Sequence, residues 1–123
     1  MSDFLNLAKI EAENSSFSDW RIGAVIVKNG KVISKGHNRL SGKVKTRKRL
    51  DFLSLHAEAD AILNCNDFKR LKGARIYVAG VKYNGNGVNA RPCMNCLSMI
   101  ARVGIKRVYY NDHGKRKRII LGE

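Results

Sequence analysis

The alternation of apolar and polar residues predicts four strands, a possible fifth strand and three helices. Apolar residues recur at helical spacing over 2–14, 55–63 and 92–103. The strand segments are rich in β-branched residues or alternate in polarity, and they cover 22–28, 31–36, 74–81, 105–110 and 117–121. The predicted order is α-ββ-α-β-α-β-β. This order favours an α/β fold in which helices cover a mixed five-stranded sheet.

The boundaries between these elements carry local signals. Asn29 and Gly30 separate the first two strands, and this pair is typical of a two-residue β-hairpin turn. Ser54 precedes the second helix and is a candidate N-cap. Pro92 is predicted to be the first residue of the third helix, and Gly104 is predicted to end it.

Length and charge narrow the class of protein. The chain has 123 residues, so we expect residues 1–123 to form a single domain. It carries 24 Lys and Arg against 10 Asp and Glu, a net charge of +14. That excess favours phosphate-bearing partners, either nucleotides or nucleic acid. Basic residues cluster at 43–49 and 115–118, where they form either a solvated surface or a path for phosphates.

Targeting signals are missing from the sequence. No apolar run approaches the roughly 20 residues of a membrane helix. No N-terminal segment has the basic, apolar and small-residue order of a signal peptide. We therefore expect a cytoplasmic protein without a membrane partner.

The cysteines indicate a metal or redox site rather than disulfides. An odd count of three, at Cys65, Cys93 and Cys96, argues against a disulfide framework. Cys93 and Cys96 are three residues apart in a predicted first helical turn, so their side chains share one side of the helix. The helix dipole favours anionic thiolates at that position.

A second motif turns this pair into a candidate zinc site. His56 and Glu58 lie at the start of the second predicted helix. One imidazole and two thiolates suit Zn²⁺, and three protein ligands leave a fourth position for water, as in catalytic zinc sites. Glu58 can then move a proton. A buried histidine beside ordinary core cysteines, or a redox Cys-x-x-Cys, would require neither Glu58 nor the combined motif.

The combination of His-x-Glu and Pro-Cys-x-x-Cys is the signature of zinc deaminases. On these residues the chain resembles the cytidine/deoxycytidylate deaminase superfamily, most closely the small deoxycytidylate deaminase-like proteins. The supporting segments are 22–27, 36–38, 56–62, 92–96 and 104–110. The resemblance implies a three-layer cytidine deaminase-like fold, with helices on both sides of the five-stranded sheet, and an assembly into homo-oligomers.

The resemblance also assigns roles at the metal. It implies that His56, Cys93 and Cys96 bind Zn²⁺. It implies that Glu58 is the proton shuttle, which deprotonates the attacking water, protonates ring atom N3 and then protonates the departing ammonia.

Substrate contacts follow from the same resemblance. Asn38, just after the second strand, would contact the sugar or the base, and the backbone N–H of Ala57 would approach the pyrimidine carbonyl. Arg21 and Arg39 are candidate phosphate contacts by position alone. The connection 39–54 contains neither Cys nor His, so we expect no second zinc site there.

Three functions remain open at this point. The first is deamination of a cytosine nucleotide or nucleoside, most simply dCMP to dUMP. The alternative is deamination of cytosine or adenine in RNA or single-stranded DNA, which would use the basic surface. A nucleic-acid-binding or assembly protein with a vestigial zinc site is the third, and the intact Glu58 argues against it. The sequence shows no interleaving of aromatic with basic residues, and we interpret Trp20 and the pair Tyr109-Tyr110 as packing residues.

Overall fold

The computed structural model describes residues 3–17, 20–40, 54–82, 84 and 87–121. Its helices are α1 (Phe4–Ala12), α2 (Ala57–Leu63), a single 3-10 turn (Phe68–Leu71) and α3 (Met94–Arg102). Its strands are β1 (Arg21–Lys28), β2 (Lys31–His37), β3 (Arg39–Leu40), β4 (Ser54–Leu55), β5 (Arg75–Val81), β6 (Arg107–Asp112) and β7 (Lys115–Ile120).

Five strands form one mixed sheet in the order β2-β1-β5-β6-β7. The β5–β6 pair is parallel, and the other three pairs are antiparallel. The short strands β3 and β4 pair with each other as a separate ribbon. The predicted mixed five-stranded sheet is confirmed. The β3–β4 ribbon was not predicted, because neither two-residue strand is long enough to give a polarity pattern.

Helices cover both faces of the sheet, which confirms the predicted three layers. Alternate residues of each strand point to opposite faces. In β5, Ile76 and Val78 belong to the large core shared with α2 and α3. Tyr77 and Ala79 instead belong to a smaller cluster with Ala8 of α1.

Two glycines allow the helices to pack with their backbones against the sheet. A side chain at Gly23 would overlap the backbone of Ala8 and Ala12 in α1. A side chain at Gly36 would overlap the backbone of Ala61 in α2. The second contact fixes how deeply α2, and the residues at its start, lie against β2.

The hairpin turn and the end of α3 are confirmed. Asn29 and Gly30 both have positive φ, at 53° and 77°, which matches the turn favoured between antiparallel strands. Gly104 has φ 93° directly after the C-cap residue Val103, and few residues other than glycine adopt that conformation easily. The C-terminal hairpin turns at His113 and Gly114, so β6 ends two residues later and β7 begins two residues earlier than predicted.

Both predicted starts of the helices near the candidate site are wrong. Ser54 lies in β4 and is not the N-cap of α2, because pairing with β3 keeps the backbone extended through Leu55. His56 occupies the N-cap position instead. Pro92 precedes α3 rather than opening it, and Cys93 is the N-cap.

Two further observations bear on partners. The predicted basic cluster at 43–49 lies outside the described residues. Within the described part of the chain, no helix combines the length and apolar character needed to cross a membrane.

Candidate active site

The starts of α2 and α3 bring three potential metal ligands together. His56 immediately precedes α2, while Cys93 and Cys96 belong to the first turn of α3. His56 Nδ1 lies 3.2 Å from Cys96 Sγ and 3.9 Å from Cys93 Sγ. All three ligand atoms lie within 4.8 Å of one another.

The segment before α3 is held in place by the end of β6. The backbone N–H of Ala90 donates to the carbonyl of Asn111 at 2.8 Å, and Asn89 forms a bridge with Asp112. This pairing fixes the chain three residues before Cys93. The position of Cys93 therefore depends on a contact with the sheet as well as on helix α3.

The three side chains fit a tetrahedral metal ion in spacing and in chemistry. Zinc ligands at ordinary Zn–S and Zn–N distances lie roughly 3.6 Å from each other. Burial raises the pKa of the Cys96 thiol, and the negative charges of Glu58 and Cys93 raise it further. Thiols in such surroundings lose their protons readily only when a cation balances the charge on sulfur. The donor set can therefore hold a metal ion such as Zn²⁺.

Glu58 is a buried carboxyl group beside this cluster. Its exposed fraction is 5%, and it follows His56 by two residues in the first turn of α2. Burial raises the pKa of Glu58, and its own backbone N–H and the nearby His56 offset part of that rise. A carboxyl group in this environment can both accept and return a proton.

A cavity of about 330 Å³ opens onto these groups. Its volume falls within the range of small-molecule sites. Nine described residues line it: Phe17, Trp20, Ile22, Asn38, His56, Ala57, Glu58, Ala90 and Cys93. The walls are mostly apolar, and the polar groups of Glu58, His56 and Cys93 converge on one region.

Four of the lining residues were not predicted as site residues. Phe17 and Ala90 belong to no motif, and Ile22 lies in the supporting segment 22–27 without an assigned role. The apolar character of all three is equally typical of a core. Trp20 is 47% exposed and lines the cavity, so our interpretation of it as a simple packing residue is wrong. A single tryptophan directly before a predicted strand gave no signal that could separate a packing role from a place in a cavity wall.

Asn38 lines the cavity, but its amide also holds the backbone together. Its Oδ1 accepts from the N–H of Ile22 at 2.9 Å, and its Nδ2 donates to the carbonyl of Trp20 at 2.8 Å. These bonds position two other residues of the cavity wall. Ala57, the other predicted substrate contact, is buried and lines the cavity as well.

The two arginines predicted near the substrate have hydrogen-bond partners within the protein. Neither Arg21 nor Arg39 is among the described residues that line the cavity. Arg21 Nε donates to the carbonyl of Phe17 at 3.1 Å. Arg39 Nε donates to Oδ1 of the buried Asp60 at 2.9 Å.

Two other basic side chains lie next to the cavity wall. Lys82 Nζ is 5.8 Å from the ring centroid of Trp20. Arg91 directly follows Ala90 and holds its guanidinium 6.0 Å from the ring centroid of Tyr110. Both residues are exposed. Neither was predicted, because isolated basic residues are common in a chain of this charge.

Comparison with known proteins agrees with this geometry. Residues 1–112 match the family described as the cytidine and deoxycytidylate deaminase zinc-binding region. The deoxycytidylate deaminase of Mycobacterium phage D29 is 32% identical, over 87% of this chain and 90% of that protein. A tRNA-specific adenosine deaminase of Agrobacterium fabrum is also 32% identical, over 87% of this chain and 62% of that protein.

The fold has solved counterparts. The crystal structure of cytidine deaminase from Burkholderia pseudomallei superposes with a TM-score of 0.71 at 22% identity, over 98% of this chain and 93% of that one. The expected three-layer α/β architecture is therefore that of known deaminases. The chain belongs to the cytidine and deoxycytidylate deaminase zinc-binding family, and it is a deaminase-type hydrolase.

Proposed function

We propose that this protein deaminates the cytosine of a free nucleotide, converting dCMP and water into dUMP and ammonia. One observation carries the proposal: His56, Cys93 and Cys96 converge beside the buried Glu58 at a cavity sized for a small molecule. The similarity to the phage deoxycytidylate deaminase supports dCMP as the substrate.

In this proposal His56, Cys93 and Cys96 hold Zn²⁺. The ion supplies a Lewis acid that lowers the pKa of water toward neutrality. The protein's part is to place two sulfurs and one nitrogen at the starts of two helices. The helix N-termini favour the negative charge of the sulfurs.

Glu58 would move the protons of the reaction. Its carboxylate takes a proton from the attacking water as oxygen adds to C4, and the same proton passes to ring atom N3. Glu58 then takes up the remaining hydroxyl proton and gives it to the departing amine, which leaves as ammonia when the C4–N bond breaks. Its place in the cavity wall beside His56 supports this role.

Recognition of the base and sugar would use the cavity wall. We propose that the backbone N–H of Ala57 donates to the pyrimidine carbonyl and that Asn38 lies against the sugar. Trp20 at the exposed rim offers an apolar surface for the ring. The two amide bonds of Asn38 to Trp20 and Ile22 support a role in shaping this wall.

Lys82 and Arg91 are the proposed phosphate contacts. Both carry a positive charge next to residues of the cavity wall, Lys82 beside Trp20 and Arg91 beside Ala90. They replace Arg21 and Arg39, whose Nε atoms donate to Phe17 and Asp60. Arg91 also has a partner, because its Nη1 donates to the hydroxyl of Tyr110 at 3.4 Å. A contact from either residue would favour dCMP over deoxycytidine.

A polymer substrate is the second candidate. It draws support from the similarity to a tRNA-specific adenosine deaminase and from the net charge of +14. In that case cytosine or adenine would have to enter the cavity from a splayed RNA or DNA strand.

The remaining expectations belong to the same proposal. We propose a single domain that acts in the cytoplasm as a homo-oligomer. Light scattering after size exclusion tests the assembly. A mass well above the 13.8 kDa of one chain supports it, and a monomer contradicts it.

A deamination panel tests the substrate. Zinc-loaded protein is incubated with deoxycytidine, dCMP, dCTP, CMP, a short single-stranded DNA and a structured RNA, and products are read by mass spectrometry. Turnover of dCMP well above deoxycytidine supports the proposal. Turnover of the polymers alone supports the second candidate and contradicts the first.

A further inference from the structure

The sheet face away from the cavity carries tyrosines surrounded by arginines. In β5 and β6, Tyr77 pairs with Tyr109, and Arg75 pairs with Arg107. In the neighbouring pair, Tyr109 lies opposite Arg118 of β7. Residues two apart on a strand share a face, so all five side chains lie on the same side of the sheet. We call Arg75, Tyr77, Arg107, Tyr109 and Arg118 the tyrosine–arginine face.

This face is separate from the candidate active site. Tyr77 packs against Phe4 of α1, with ring centroids 5.2 Å apart. The cavity lies on the other side, where α2 and α3 cover the sheet. Helix α1 lies mainly over β1 and β5, so β6 and β7 are left largely uncovered on this side.

The two tyrosine rings form a continuous aromatic surface. Their centroids are 4.8 Å apart with an angle of 13° between the planes, so the rings are stacked. Both residues are partly exposed. They border a groove of about 300 Å³ that is also lined by Leu5, Arg116, Lys117 and Arg118.

The arginines of the face have no acidic partners in the described part of the chain. Arg75, Arg107 and Arg118 are all exposed, and none takes part in an ion pair there. The neighbouring basic cluster 115–118 lies in β7, so its side chains point alternately to the two faces of the sheet. Arg116 pairs with Asp3, and Lys117 pairs with Asp112 at 2.8 Å. Three exposed guanidinium groups without ion pairs in the described residues therefore border the two tyrosines.

We propose that the tyrosine–arginine face binds single-stranded nucleic acid, with guanidinium groups on phosphates and tyrosine rings on bases. In other proteins, exposed sheets bind single strands by stacking bases on aromatic side chains, while positively charged side chains contact the phosphates. On this face the positive charge would come from the arginines. A second copy of the chain is a poor occupant, because two identical positive faces would repel each other.

The sequence did not reveal this surface for a geometric reason. Tyr77 and Tyr109 are 32 positions apart, and Arg118 comes from a third strand. Strands β5 and β6 each contribute only one arginine and one tyrosine to the face, and so short a pattern does not stand out in the sequence. Strand register brings them together.

Fluorescence anisotropy with labelled oligothymidylate tests the proposal. Thymine has no exocyclic amine, so the probe reports binding and cannot be deaminated. The result of this binding test therefore does not depend on whether the protein deaminates dCMP. The first variant combines Arg107→Glu with Arg118→Glu. The matched control combines Lys69→Glu with Arg70→Glu, the same charge change at exposed positions of the 3-10 turn.

We expect the face variant to weaken binding about tenfold or more at low salt, and the control to weaken it far less. The slope of log affinity against log salt should fall by about 1.4 in the face variant, since each phosphate contact on a single strand contributes about 0.7. Tyr109→Leu, which keeps an apolar side chain, should weaken binding about fivefold or more because base stacking is lost. Thermal unfolding confirms that each variant is folded.

Three outcomes would overturn the proposal. Equal losses in the face variant and the control would mean that only net charge matters. Unchanged affinity in Tyr109→Leu, with polyglutamate competing as well as an unlabelled oligonucleotide, would indicate an acidic protein partner. If the wild-type protein does not bind the probe at low salt, the face is not a binding site for single-stranded nucleic acid.

Discussion

Arg39 Nε lies 2.9 Å from Oδ1 of Asp60, so a half-exposed guanidinium is paired with a buried carboxylate. The exposed fraction of Asp60 is 1%, and its Oδ2 also accepts from the backbone N–H of His37 at 3.1 Å. Asp60 is in α2, and its own N–H donates to the carbonyl of His56. The ion pair therefore ties the end of β2 and the start of β3 to the helix that begins at the metal ligand.

Arg39→Ala should destabilise the fold and leave substrate preference unchanged. The variant leaves the carboxylate of Asp60 buried without its charge partner. We expect a loss of about 2–3 kcal/mol in the free energy of unfolding, less than for a fully buried pair because Arg39 is half exposed. Urea denaturation measures it. A selective rise in KM for dCMP relative to deoxycytidine would instead restore Arg39 as a phosphate contact.

Lys82→Ala and Arg91→Ala should each raise KM for dCMP about tenfold and change KM for deoxycytidine little, because a charged hydrogen bond to phosphate is worth roughly 1.5–3 kcal/mol. Steady-state kinetics on both substrates measures the difference. Arg102→Ala, an exposed arginine at the end of α3, serves as the control. Equal effects of each variant on both substrates would contradict the phosphate assignment.

Cys93→Ser should lose bound zinc, while Cys65→Ser should keep it. Cys93 Sγ belongs to the ligand cluster, whereas Cys65 lies in the hydrophobic core. Plasma mass spectrometry gives the metal content per chain after purification. Full zinc occupancy in Cys93→Ser would show that the ligand assignment is wrong.

Gly36→Ala should disturb the packing of α2 against β2. The added methyl group would overlap the backbone of Ala61, and backbone cannot move aside as a flexible side chain can. We expect a loss of about 2 kcal/mol or more in the free energy of unfolding. The control is Gly87→Ala, where the nearest atom to an added Cβ is 3.5 Å away. Similar melting temperatures for both variants would contradict this packing.

The carboxylate of Asp112, at the turn between β6 and β7, should contribute to a loss of folding stability at acidic pH. Hydrogen bonds from Lys117, and then from His113, hold the pKa of Asp112 below its usual range. Folding thus favours the charged carboxylate, which stabilises the protein above the unfolded-state pKa of about 4. That contribution disappears as pH falls through the lower folded-state value. Asp112→Asn should flatten this acid dependence in urea titrations, and the exposed Asp67→Asn should not.

The sequence predicted most of the fold because the signals are local. The Asn29-Gly30 turn needs only the neighbouring residues, and the buried strands β1 and β5 are nearly continuous apolar runs. The starts of α2 and α3 were misplaced for a different reason. Leu55 is extended because it pairs with Arg39, and a contact of that kind has no counterpart in residue spacing.

The candidate site divides in the same way. Two short motifs contain the candidate metal ligands and the buried carboxyl group, so these residues could be predicted from the sequence. They are His56, Glu58, Cys93 and Cys96. The residues of the cavity wall could not be predicted in this way. The backbone of Trp20, for example, is held by the amide of Asn38, which follows β2. The ion pair of Arg39 was not predicted, because its partner Asp60 lies 21 positions away, inside a helix.

Glu58 is proposed to move protons for a deamination at the cluster of His56, Cys93 and Cys96. The most direct measurement compares dCMP turnover by zinc-loaded wild-type protein with that of Glu58→Gln, with zinc content determined in the same samples. Glu13→Gln, at the exposed end of α1, is the matched control. We predict that Glu58→Gln keeps zinc and loses at least about a hundredfold in kcat, while the control keeps both zinc and kcat. Near-normal dUMP formation by zinc-bound Glu58→Gln would contradict the account.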